Sequence, residues 1–304
     1  MSGIVARQVS SYRLTSREVG GARSIVDCAG VRIGGQAVVL IAGPCTVEGL
    51  AMLEETGRAA RAAGAVMLRG GAFKPRSSPY SFQGLGSQGL AYLARVRAQA
   101  GLPVVTEVMA PEQVELVMRY ADMLQIGARN MQNYSLLREV GRTRRPVLLK
   151  RGMSASIDEW LEAAEYLLAQ GNTQVVLCER GIRTFETATR FTLDLSAIPV
   201  LRQRTHLPVI VDPSHASGQR HLVGPLALAA VAVGADGIIV ETHPQPTSAL
   251  CDGAQSLDLD QLAGLRDAMA RVAGAVGRTM HDPVSAESLP ALLGPQISEG
   301  GGCQ

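Results

Sequence analysis

Two kinds of apolar pattern alternate along this chain from about residue 38 onward. Short runs in which nearly every position is apolar recur as VVLIAG (38–43), AVMLRG (65–70), PVVTEV (103–108), MLQIGA (123–128), PVLLKR (146–151), QVVLCE (174–179), PVIVDP (208–213) and GIIVET (237–242). Runs this short and this continuously apolar read as strands buried on both faces, as in a covered parallel sheet. Between them lie stretches with helical spacing. The clearest is SIDEWLEAAEYLLAQG (156–171), where Ile157, Trp160, Leu161, Ala164, Leu167 and Leu168 share one face, Ser156 is placed to cap the start and Gly171 to end the helix. Trp160, the only tryptophan, belongs to that apolar face and is expected to pack.

Eight strand–helix units within one continuous region predict an α/β fold, a closed (β/α)8 TIM barrel. An open doubly wound sheet is the alternative, and it fits less well because no Gly-x-Gly-x-x-Gly follows a strand. The expected organisation is an N-terminal arm and hairpin over 1–37, a catalytic barrel over 38–278, and a C-terminal tail over 279–304 that is mobile or packs between subunits. The last barrel helix is expected over 258–277.

Composition narrows the field without naming a function. The chain has 304 residues, 46% of them hydrophobic, enough for a large core. Its 29 basic and 27 acidic side chains leave a formal charge of +2, so nothing in the balance calls for nucleic acid or a membrane surface. No apolar run is long enough to span a bilayer, the N-terminus lacks a signal-peptide core, and the five cysteines show no CxxC spacing. A cytoplasmic protein with reduced thiols is expected.

Chemistry concentrates where the strands end, the place a barrel of this kind keeps its active site. A cation set is formed by Arg69, Lys74, Arg76, Arg129, Lys150 and Arg180. Like charges at one mouth repel, so the set predicts phosphate and carboxylate ligands, unless local acids pair the cations off. A second set offers a thiol, an imidazole and two carboxylates: Cys45, His215, Glu241 and Asp252. Closure of the barrel brings the first, seventh and eighth strands together, and a mixed sulfur, nitrogen and oxygen set suits Mn²⁺, Zn²⁺, Fe²⁺ or Co²⁺ better than Mg²⁺ or Ca²⁺. Either member alone has a plainer reading, a buried cysteine or a helix-capping histidine. Glu107 and Glu179 also stand at strand ends, while His221 and His243 are expected to be solvated loop residues or supporting donors.

The motifs IAGPCTVEG, LRGGAFKPRSSPYSFQGLG, TEVM, QIGARNMQN, LLKRGMSASIDEWLEAAEY, LCERGIRTFE, VDPSHASG and GADGIIVETHPQPTSALCDGAQSL follow in order, one per unit. On them the chain resembles the 3-deoxy-D-arabino-heptulosonate 7-phosphate (DAHP) synthases of type I-beta, from SYRLTSRE to the last helix. The resemblance implies condensation of phosphoenolpyruvate with erythrose 4-phosphate, the entry to the shikimate pathway of aromatic amino acid biosynthesis, with a divalent metal. Carried over by motif, it makes Cys45, His215, Glu241 and Asp252 the metal ligands. It places Arg69, Lys74 and Lys150 on the carboxylate of phosphoenolpyruvate, Arg129 and Arg180 on its phosphate with Glu107 nearby, and Arg76 and Ser77 on erythrose 4-phosphate. Lys74, Cys45 and His215 are then the catalytic residues, and a Schiff base on Lys74 or Lys150 is not required.

The neighbouring family, the 3-deoxy-D-manno-octulosonate 8-phosphate synthases, uses arabinose 5-phosphate and has an asparagine-led run where this chain has KPRS at 74–77. A catalytically dead scaffold barrel is disfavoured by retention of both residue sets. Relatives commonly form dimers or tetramers, so the resemblance implies a homo-oligomer, with a chorismate mutase as a further candidate partner. Because 37 residues cannot fold a regulatory domain, insensitivity to feedback by aromatic products is expected of the chain alone. Cys251 stands where the family has serine and Thr242 where valine is more usual, so a Cys45–Cys251 disulfide under oxidants is a further expectation.

Overall fold

A computed structural model describes residues 12–74 and 80–292. Eight parallel strands close into a barrel: β1 (Ala37–Gly43), β2 (Met67–Arg69), β3 (Val104–Glu107), β4 (Met123–Ile126), β5 (Val147–Lys150), β6 (Val175–Glu179), β7 (Val209–Val211) and β8 (Gly237–Glu241). Each pairs with the next, and β8 closes on β1 over five residues, with Gly237 opposite Val39 and Glu241 opposite Gly43. Every predicted strand is present. The ladders are shorter than the apolar runs because the chain leaves the sheet early, in β7 at the Asp212–Pro213 step that starts the short helix Pro213–Ser217.

The connecting helices follow from local signals. The helix over Ile157–Ala169 starts at a capping box in which Ser156 and Glu159 satisfy each other's backbone, and its buried face includes Trp160, Leu161, Ala164 and Leu167. Trp160 is fully buried and its indole donates to the carbonyl of Leu149 at 3.2 Å, tying the helix to β5. The last helix runs over Leu259–Ala275 from a second capping box, Asp258 with Gln261. No described helix is long and apolar enough to cross a membrane.

Alternation along the strands divides the core in two. Val38, Leu40 and Ala42 pack outward against the helices, whereas Val39 and Ile41 join Met67, Val105, Met123, Leu148, Val176, Ile210 and Ile239 in the barrel interior. Below this interior, the antiparallel hairpin of Val26–Cys28 and Val31–Ile33 contributes Val26, Cys28, Val31 and Ile33 to the same cluster and plugs the N-terminal mouth. Because side chains in a strand alternate, the residue two beyond an interior position also faces inward. That rule lifts Arg69, Glu107, Gln125, Lys150, Arg180, Asp212 and Glu241 onto one layer above the apolar plug.

The arm is anchored too. Backbone N–H groups of Arg13, Leu14 and Thr15 converge on the Glu165 carboxylate at 2.7–3.0 Å. After the last helix, Thr279–Met280 pairs parallel with Ala37 and Val38, and the Pro290 carbonyl accepts from Arg97 at 2.7 Å. The described start of the C-terminal segment is therefore laid against the barrel, and residues 293–304 lie outside the described residues.

Candidate metal and anion site

Cys45, His215, Glu241 and Asp252 each offer a ligand atom, and these atoms lie within 4.8 Å of one another. Cys45 follows β1, Glu241 ends β8, His215 rides on the helix Pro213–Ser217, and Asp252 lies on the loop after β8. The backbone of Asp252 adopts a left-handed conformation (φ 53°) that turns its carboxylate back into the mouth. Its Oδ2 lies 3.0 Å from the Cys45 Sγ.

The protonation pattern of the cluster favours a cation. Asp212 Oδ2 accepts the Nδ1 hydrogen of His215 at 2.7 Å, which leaves the Nε2 lone pair facing Glu241 Oε1 at 3.3 Å. Burial lowers the His215 pKa to about 4 against the pull of Asp212 and Glu241, so the ring is neutral at physiological pH. Glu241 stays ionised: burial works against it, but the Arg69 and Lys74 cations hold its pKa down. Two electron-pair donors in register, with no proton between them, fit a bound divalent ion. The donor types, one sulfur, one imidazole nitrogen and two carboxylates, agree with that fit. Burial pushes the Cys45 thiol well up, so metal binding would have to displace its proton.

The cations line the same cleft. Arg69, Lys74, Arg129, Lys150 and Arg180 are all on its wall together with Glu107 and Gln125. Three of them are paired with acids, contrary to a picture of bare repelling charges. Arg69 Nη2 meets Glu241 Oε1 at 3.0 Å, Lys150 Nζ meets Asp212 Oδ2 at 2.5 Å, and Lys74 Nζ meets Asp252 Oδ2 at 3.3 Å and Cys45 Sγ at 2.6 Å. Pairing is incomplete, however. Arg69 Nε and Nη1 and Arg180 Nη1 are buried without a hydrogen-bond partner. Buried cationic donors in that state are costly without an anion to receive them. Arg180 is further held over the Phe191 ring at 4.4 Å, and Arg129 stands exposed at the rim.

Residues 15–276 match the model of the DAHP synthetase I family. The chain belongs to this family. It is 52% identical over 273 residues, 90% of this chain and 81% of the relative, to a phospho-2-dehydro-3-deoxyheptonate aldolase of Thermotoga maritima. The crystal structure of the Thermotoga maritima DAHP synthase superposes with a TM-score of 0.88 at 51% identity, over 90% of this chain and 81% of that one. A truncated form of the Thermotoga enzyme gives a TM-score of 0.84 at 48% identity, over 89% of this chain and all of that one. A 2-dehydro-3-deoxyphosphooctonate aldolase of Nitratidesulfovibrio vulgaris is more distant, 37% identical over 74% of this chain and 88% of its own.

Within this family member, Arg76 and Ser77 lie outside the described residues. Glu179 turns away from the cleft to pair with Arg151 at 2.9 Å. His221 is exposed as expected, but in the helix Arg220–Ala232 and not on a loop; His243 lies on a loop but is buried and not solvated, 3.5 Å from Glu48. Sequence reasoning passed over Asp212, Gln125, Gln255 and Arg190. Asp212 and Gln125 carried a readable signal, since each stands two residues beyond an interior apolar position, Ile210 and Met123. Gln255 ends the 3₁₀ turn Gly253–Gln255 and Arg190 lies on a loop, and neither carried one.

Proposed function

We propose that this protein condenses phosphoenolpyruvate with D-erythrose 4-phosphate and water to give DAHP and inorganic phosphate, the first step of the shikimate pathway. The observation that carries the reading is the juxtaposition of buried donors on Arg69 and Arg180 that lack a hydrogen-bond partner with an adjoining four-ligand cluster at one cleft. A small dianion beside a divalent cation suits that arrangement, and a dead scaffold has no use for it.

Arg69, Lys74 and Lys150 would hold the carboxylate of phosphoenolpyruvate, and Arg129 and Arg180 its phosphate. Arg76 and Ser77 would hold the phosphate of erythrose 4-phosphate. A divalent ion on Cys45, His215, Glu241 and Asp252 would supply Lewis acidity to the aldehyde oxygen. The mixed sulfur, nitrogen and oxygen set suits Mn²⁺, Zn²⁺, Fe²⁺ or Co²⁺ better than Mg²⁺ or Ca²⁺.

Lys74 supports this as a donor and not as a Schiff-base amine. Burial alone would lower its pKa, but the Glu241 and Asp252 carboxylates outweigh burial and raise it, so the ammonium keeps its proton. It would donate to the aldehyde oxygen as C3 of phosphoenolpyruvate forms the new bond to the aldehyde carbon. Water then adds at C2, with the Glu107 carboxylate on the same wall as the group to receive its proton. Cleavage of the C2–O bond releases phosphate and leaves the keto acid.

The test is phosphoenolpyruvate consumption by metal-stripped protein, with and without Mn²⁺, offered erythrose 4-phosphate or arabinose 5-phosphate. Metal-dependent loss with erythrose 4-phosphate alone is expected. Preference for the pentose phosphate would move the protein to the octulosonate reaction, and silence with both in folded protein would overturn the catalytic reading.

A further inference from the structure

Arg190 stands behind the candidate ligands and touches none of the atoms of the reaction outlined above. It lies on the crossing after β6, where its backbone N–H donates to Ser217 O at 3.0 Å and that of Phe191 donates to Ala216 O at 2.8 Å. The crossing is thereby fastened to the helix that carries His215. Gly218 ends that helix at φ 68°, and a Cβ there would come within 2.7 Å of the Arg190 Cβ. Only glycine satisfies both the backbone angle and the passage of this side chain over the helix end.

From that perch Arg190 Nη1 reaches Asp252 Oδ1 at 3.4 Å and Gln255 Oε1 at 3.1 Å. Gln255 is buried, and its amide donates to Glu241 Oε2 at 2.5 Å. Each candidate carboxylate ligand thus has one oxygen held from outside. The other oxygen of each stays in the cluster: Asp252 Oδ2 beside Cys45, and Glu241 Oε1 beside His215.

We propose that Arg190 is a positioning residue of the metal site, orienting Asp252 directly and Glu241 through the Gln255 amide. The proposal rests on the ligand reading of the preceding section. Without Arg190, the Asp252 side chain keeps its contacts with Cys45, Cys251 and Lys74, and Lys74 is the very cation that substrate would engage. Its left-handed backbone would then have less to hold it in place.

Simple electrostatics and positioning predict opposite signs, which makes the idea testable. Arg190 brings a positive charge to the edge of a cation site, so removing it should tighten metal binding if charge were its whole effect. If it positions ligands, removing it should weaken binding, by about 10- to 100-fold for an outer partner of this kind.

The experiment titrates Co²⁺ into the chelator-stripped full chain, following the sulfur-to-cobalt absorption band, with the melting temperature of the apo protein as control. Arg190→Met is expected to lose affinity in that range with its apo melting temperature unchanged. Arg190→Lys, which keeps the charge but not the reach, should recover part of the loss. Gln255→Leu added to Arg190→Met should cost little more, because both act on one chain of contacts. Equal or tighter Co²⁺ binding by Arg190→Met, or a loss matched by a fall in apo stability, overturns the positioning role. A parent that binds no Co²⁺ would sink the ligand reading itself, and this inference with it.

Discussion

Asp212 Oδ2 accepts from Lys150 at 2.5 Å and from His215 at 2.7 Å, while its Oδ1 caps the helix by accepting from the His215 backbone at 3.0 Å. One buried carboxylate therefore sets the imidazole tautomer and neutralises a cleft lysine. Asp212→Asn keeps the shape and removes the charge. We expect metal affinity to fall about 10- to 100-fold, as for other carboxylates behind a ligating imidazole. The apo protein should also lose about 3–5 kcal/mol in urea unfolding, because Lys150 is left buried without its counter-charge. Unchanged affinity would mean that His215 is oriented some other way. This residue shows where reading the sequence stopped short: in PVIVDPSH the histidine drew attention as a metal ligand, although the inward parity of Ile210 and Asp212 was already present in the letters. Cys251 was noticed from its neighbour Asp252, and its Sγ does lie 3.4 Å from that of Cys45. One peroxide can oxidise the two thiols to a disulfide, giving two waters, once the sulfurs close to about 2.05 Å. Peroxide treatment of the apo protein should remove two hydrogens by mass and abolish Co²⁺ binding in the parent, and spare Cys251→Ser. Equal rates of activity loss in the two proteins would count against the disulfide.

Among the elements, the strands were legible because burial on both faces leaves continuous apolar runs, and the capped helices because their start signals are local. Destinations were harder to see. A hairpin before β1 was expected, but not that its Val26, Cys28, Val31 and Ile33 would fill the bottom of the barrel, since nothing local says which surface an apolar hairpin face will meet. The arm is a similar case: Glu165 lies on the helix 157–169, about 150 residues from the N–H groups it receives. Burial raises the pKa of Glu165, but the N–H groups of Leu14, Thr15 and Arg13 and the Thr15 hydroxyl outweigh it and hold the value below the ordinary range. A depressed carboxylate pKa contributes stability above its unfolded value of about 4.3 and loses it as pH falls through the lower folded value. The arm should therefore loosen in acid. Glu165→Ala should do the same at neutral pH, speeding hydrogen exchange of amides 13–15 about tenfold, as loss of a charge-assisted hydrogen bond of about 1.5 kcal/mol implies. Exchange no faster than in the parent would show that the arm is held by its other contacts.

For the molecule as a whole, the barrel divides stability and function between its two ends. The hairpin and the interior apolar residues make the lower half, and the layer above them consists of charged and amide groups whose pairing is incomplete. Function therefore works against stability at the mouth, a tension common to active sites. Arg180 tests it most cleanly. None of the described acids lies within ion-pair distance of it, and burial lowers its pKa even though Asp212 pulls the other way. Replacing it by methionine should therefore leave the apo melting temperature unchanged or raise it, since a buried cation with an unpartnered donor is exchanged for an apolar chain of similar length. Binding of phosphoenolpyruvate should weaken by about 2–5 kcal/mol, the cost of removing one partner from a buried charge pair. Calorimetry of the ligand with both proteins reads the second effect. In thermal melts, saturating phosphoenolpyruvate should raise the parent's melting temperature by mass action and the variant's far less. If Arg180→Met instead melts several degrees lower without ligand, then the stacking of Arg180 on Phe191 is structural, and the anion subsite must be sought among Arg69, Lys150 and Arg129.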